Sequence, residues 1–168
     1  MASEMTVSLM PTSERDALVN FLDAQRVGLI RKVEDVDDEQ ARQTPTVSAL
    51  SLLGLVKHAT TWEHRWFEVI AAGRPSPVGW PEVVPEPRDA ELFLTVDDTV
   101  DRWIAAYRAQ LETSNAIVAT MDLDELCART DVVECNLRYV LLHMIEETAR
   151  HAGHADIIRE TLDGTTGI

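Results

Sequence analysis

The sequence predicts an all-helical bundle, and three observations carry that expectation. Apolar residues recur at helical spacing through four separate stretches. Glycine and proline number only seven each in 168 residues, and they fall mostly between those stretches. One interval is a proline-rich run long enough to cross the bundle.

The last stretch organises the rest. Residues 134–163, ECNLRYVLLHMIEETARHAGHADIIRETLD, hold no proline and many strong helix formers, enough for about eight turns. On a helical wheel Val140, Leu141, Met144, Thr148, Ala155, Ile158 and Leu162 share the core-facing sector. Glu147, His151 and His154 line one edge of that sector, while His143 falls one turn too early to join them. A carboxylate and an imidazole at i and i+4 converge on a point beside the helix, the way a bundle helix offers two ligands to one metal ion.

The first helix is expected from Pro11 to about Asp35, capped by Thr12 or Ser13, with Leu18, Phe21, Leu22, Leu29 and Val33 inward. Arg26 lies on that stripe. It either snorkels to water, pairs with an inward carboxylate, or binds an anionic group of a substrate or cofactor. Residues 36–48 read as a connection with a short helical turn, broken at Pro45.

A second helix, Ala49 to Ala72 with Ser48 as cap, turns Leu52, Leu55, Ala59, Trp62, Trp66 and Ile70 to the core. His58 sits at the edge of that face and is the expected third ligand. Glu63 also leans inward, where it needs a partner such as Arg26 or a ligand's imidazole proton, and it is a candidate for proton handling. His64 is placed on the opposite, solvated face.

Residues 73–88, GRPSPVGWPEVVPEPR, carry five prolines around Trp80 and read as an ordered crossing loop that forms a lid or pocket wall. A third helix follows from about Val96 to Met121, with Asp97 and Asp98 at its start. Its inward residues are Val100, Trp103, Ile104, Tyr107, Leu111, Ile117 and Val118. The last helix has Thr130 or Asp131 as its expected cap. The domain reading is a flexible start over residues 1–10 and one metal-binding helical domain over 11–164.

Composition narrows the function. An apolar content of 45% supports a sizeable core, and a net charge of −14 without a basic cluster argues against a nucleic-acid partner. No apolar run approaches the ~20 residues of a membrane span, and the start lacks a basic segment followed by an apolar one. A soluble, cytoplasmic protein is expected. Cys127 and Cys135 fit neither a metal motif nor a disulfide framework and read as reduced packing residues. Leu53 and Phe67 are surplus apolar positions on the second helix that suit a homodimer contact.

His58, Glu147 and His151 would supply two nitrogens and one oxygen. That set suits Zn²⁺, with Ni²⁺, Fe²⁺ and Mn²⁺ as alternatives, and three protein ligands leave a position open. His154 offers a fourth ligand or a general base. At the open position an ion generates hydroxide or thiolate near neutral pH, so hydrolysis and thiol transfer both stay open. A non-catalytic, stress-related metal- or ligand-binding bundle is the third alternative.

Two blocks, LSLLGLVKHATTWEHRWFEVIAAG and LRYVLLHMIEETARHAGHADIIRETLDG, resemble the DinB/YfiT-like four-helix metalloproteins, and within them the actinobacterial branch that includes mycothiol-dependent enzymes. The resemblance runs from about Thr12 to Gly164. It implies an up-down-down-up bundle with a long loop between helices 2 and 3, and a divalent metal on His58, Glu147 and His151. The ExxxH pair is similar to that of mycothiol-dependent maleylpyruvate isomerase, but the additional C-terminal domain of that enzyme has no counterpart here. The expectation is therefore a metal-dependent thiol S-transferase acting on a small electrophile with mycothiol or a similar thiol. In it Arg26 and Trp80 contact the cofactor, and His154 and Glu63 handle protons.

Overall fold

The computed structural model describes residues 13–76 and 92–167. Its helices are α1 (Glu14–Val33), α2 (Asp38–Ala41), α3 (Leu52–Glu63, continuing as a π-helical segment His64–Ala71), α4 (Val100–Thr120) and α5 (Leu137–Asp163). Each begins where a side-chain oxygen takes an amide that the helix leaves unpaired. Ser13 accepts from the Asp16 amide at 3.1 Å, Ser51 from Gly54 at 3.1 Å, Thr99 from Arg102 at 3.3 Å and Asn136 from Tyr139 at 3.0 Å. Asp37 and Gln40 cap α2 reciprocally. The caps of α3 and α5 are therefore Ser51 and Asn136, not Ser48 and not Thr130 or Asp131. Gly164, at φ 77°, closes α5 in the left-handed conformation that glycine adopts without strain.

Ion pairs fix the helix directions. Arg138 meets Glu14 at 2.8 Å and Lys32 meets Asp156 at 2.6 Å, so α1 and α5 run parallel. Lys57 reaches Asp98 at 3.0 Å, which sets the start of α4 beside the first half of α3 and makes those two parallel. Arg15, at the start of α1, donates to the carbonyls of Val118 and Met121 at the far end of α4, at 2.6 and 2.5 Å. The order is up-down-down-up. The parallel pair in the middle requires the long crossover between α3 and α4. Where the chain returns, the Leu92 carbonyl packs on Gly54, and a Cβ there would lie 3.2 Å from it.

Two apolar clusters fill the bundle. One gathers Leu22, Phe67, Ile70, Ile117, Leu137, Val140, Leu141 and Met144; the other gathers Leu29, Val33, Leu52, Leu55, Val56, Tyr107, Ala155 and Ile158. Phe21 is 64% exposed and does not belong to the core, contrary to its wheel position. Leu53 and Phe67 are fully buried, so neither is a surface available for pairing with a second copy. The reason is that α3 packs against α1, α4 and α5 together.

The second helix also departs from a regular α-helix after Glu63. The Ala72 amide donates to Phe67 at 3.0 Å, an i to i+5 bond, and the carbonyls of Ile70 and Ala71 accept from Arg129 and Ala128 at 3.1 and 3.0 Å. A π turn holds more residues than an α turn, so side chains beyond Glu63 drift off the 3.6-residue wheel. His64 is accordingly buried, with Nδ1 2.9 Å from Glu68 Oε1, not solvated. Burial alone would raise the Glu68 carboxyl, yet hydrogen bonds from His64, Arg74 and Gln110 hold it below its ordinary range.

Candidate metal centre

Two helices build the site. His58 lies in the first half of α3, and Glu147 and His151 lie one turn apart on α5. One ligand atom from each falls within 4.8 Å of the others. The rings of His58 and His151 meet edge to face, centroids 4.6 Å apart at 70°. His151 Nε2 lies 3.5 Å from Glu147 Oε2, while Glu147 Oε1 accepts from Arg150 on the outer side. The carboxylate is thus split, one oxygen toward the imidazoles and one toward a guanidinium.

The donor set fits a divalent ion. Burial, with the neighbouring His58 as second cause, pushes the His151 imidazole down to about 4, so at neutral pH it is uncharged and has a lone pair to give. Its Nδ1 is buried without a hydrogen-bond partner among the described residues, as is His154 Nδ1. Donors bound ~2.1 Å from one ion stand about 3–4 Å apart, so side-chain movements of about an ångström close the present set. Two nitrogens and one oxygen are three protein donors, one short of a closed tetrahedral set.

The remaining candidates separate cleanly. The ring of His154 stands 5.5 Å from that of His151, adjacent to the triad but not in it. Arg26 and Glu63 pair with each other inside the bundle: Nε donates to Oε1 and Nη2 to Oε2, both at 2.7 Å. Arg26 Nη1 also donates to Asp23 and Asn115, each at 2.8 Å. The guanidinium is thus held by protein acceptors, and both Glu63 oxygens accept from it. Trp80 lies outside the described residues. His143 packs on Trp66, centroids 4.3 Å apart, as a bystander to the three ligands. Sequence reasoning missed Arg150, whose i−3 spacing to Glu147 was its only signal, and Trp62, whose ring stands 5.6 Å from His58.

A family model described as mycothiol S-transferase matches residues 17–164. The chain belongs to the mycothiol S-transferase family. All three donors of this family member fall inside the matched span. The crystal structure of a conserved protein from Enterococcus faecalis shares the fold, with a TM-score of 0.69 at 11% identity over 93% of this chain and 99% of that one. No curated protein matches the sequence. No described helix of the transferase-family chain is long and apolar enough to cross a membrane.

The thiols of this mycothiol S-transferase family member belong to the core. Cys127 and Cys135 are free and buried, joined by a Cys127 amide to Cys135 carbonyl bond of 2.9 Å. Burial, then the neighbouring Cys135, pushes the Cys127 thiol up to about 12, the opposite of what a nucleophile needs.

Proposed function

We propose that the protein is a divalent-metal-dependent thiol transferase that joins mycothiol, or a similar low-molecular-weight thiol, to a small electrophile. The observation that carries this reading is the convergence of His58, Glu147 and His151 in a chain of this family. Zinc is the favoured ion, with nickel, iron and manganese as alternatives. When bound, the ion supplies positive charge that makes a coordinated thiol acidic near neutral pH.

The chain's own residues do the rest. His58 and His151 present ring nitrogens, that of His151 on a neutral imidazole, and Arg150 fixes the Glu147 carboxylate from outside. His154, next along the ring series, accepts the thiol proton and passes it to water. The sulfur then forms a bond to the electrophilic carbon, and the leaving group departs with the electron pair of the bond that breaks. No thiol of the protein takes part, so the nucleophile must come from the cosubstrate.

The test is product formation from mycothiol and iodoacetamide by metal-loaded wild type and by His58→Ala. Thiol-dependent product in the first and its loss in the second are expected. Equal rates in metal-stripped and loaded protein would remove the metal from the reaction.

A further inference from the structure

The seam between α3 and α5 does not end at the metal triad. The two helices run antiparallel, so each turn beyond His58 meets a turn of α5 before Glu147. There three rings replace the aliphatic side chains usual in a bundle. Trp66 and His143 stand 4.3 Å apart at 50°, Trp66 and Tyr139 6.1 Å apart, and Tyr139 and His143 are stacked at 6.0 Å with 4° between their planes. His143 is one helical turn from the ligand Glu147.

The cluster is buried at one ring and exposed at another. Trp66 is 7% exposed and Tyr139 48%. Trp66 Nε1 is buried with no hydrogen-bond partner among the described residues, a donor left unsatisfied. Burial holds the His143 imidazole below its usual proton affinity. Aromatic π faces beside the metal triad, with an idle N–H donor among them, suit a flat ligand bearing an acceptor oxygen.

The geometry points to a stacking subsite, made by Trp66, Tyr139 and His143, for a planar conjugated acceptor that carries a hydrogen-bond-accepting oxygen. The identity of that ligand as the acceptor rests on the thiol-transfer reading; the stacking does not. A saturated ligand of equal size gains only buried area there, whereas a planar one adds the ring-to-ring attraction.

The test uses the full chain, metal-loaded, titrated with nitrobenzene and with nitrocyclohexane, which share the nitro oxygens and differ in planarity. Binding is followed on the Trp66 indole N–H resonance. Nitrobenzene is expected to bind about three- to tenfold more tightly than nitrocyclohexane, and Tyr139→Leu and His143→Leu each to lose about that factor. Leu142→Ala, on an exposed neighbour of the cluster, changes neither dissociation constant. Metal content and near-ultraviolet circular dichroism identify any variant that has lost its fold. Equal affinity for the two probes, or nitrobenzene binding that survives both ring substitutions, overturns the subsite. Because no turnover is needed, planar binding without thiol transfer to any electrophile keeps the subsite and sinks the thiol-transfer reading.

Discussion

Glu63 accepts both arms of the Arg26 guanidinium at 2.7 Å, and neither residue is more than 1% exposed. The pair lies between the two apolar clusters and ties α1 to α3 directly before the π-helical segment begins. Buried charges of this kind gain little over apolar residues of the same shape but are costly to break singly. Arg26→Met is therefore expected to destabilise the protein by ~3–5 kcal/mol, while Arg26→Met with Glu63→Leu recovers most of that loss. Urea unfolding of both variants decides it; an additive double mutant would falsify the coupling.

Metal retention separates the triad from its neighbours. Wild type purified without an affinity tag should carry one equivalent of a divalent ion, and His58→Ala or His151→Ala should lose it. His154→Ala should keep the ion while losing rate, because its ring stands outside the donor set. Arg150→Gln is expected to weaken affinity by about 10-fold, as for other partners that orient a ligand. Elemental analysis and chelator competition read these outcomes. A His154→Ala protein without metal would move that residue into the coordination sphere.

Much of this was legible in the sequence, because the long helices carry their own periodicity. Val140, Leu141, Met144, Thr148, Ala155 and Ile158 are buried as the α5 wheel predicts, and the same wheel brings Glu147 and His151 to His58. What failed has physical causes. A single wheel assumes one solvent face, but α3 is enclosed by three helices, so Leu53 and Phe67 are core. It also assumes 3.6 residues per turn, which the π segment breaks at His64. The Arg26–Glu63 pair, by contrast, was one of the alternatives the sequence offered, and only the partner 37 positions away decides it over a ligand.

The cysteines give a chemical test. With its thiol pushed up to about 12, Cys127 presents very little thiolate at pH 8. Neither cysteine should be modified by iodoacetamide in the folded protein, and both should react once it is unfolded in guanidinium. Cys127→Ala should leave thiol transfer intact after allowance for stability, because a buried cysteine acts here as a small apolar residue. Loss of transfer at unchanged stability would return the nucleophile to the protein.

Asp98 sets the acid limit of the α3–α4 junction. It is 3% exposed, with Oδ2 accepting from the Thr95 amide at 2.7 Å and from Lys57 at 3.0 Å, and Oδ1 from the Trp103 indole at 2.7 Å. Burial by itself raises this carboxyl, but those three donors outweigh it and hold the group well below the usual carboxylate range. A folded-state value lower than the unfolded one means that the stabilisation is complete above the unfolded value, about 3.9, and is lost as the pH falls below it. Asp98→Asn should therefore cost ~2–3 kcal/mol at pH 7 and progressively less below about pH 4, where Asp98 of the unfolded wild-type chain takes up a proton while the folded chain still holds its carboxylate. Urea unfolding of both proteins at pH 7 and at pH 3 gives the two differences. A gap that stays constant across that range would show that the Asp98 carboxylate titrates alike in the folded and unfolded chains.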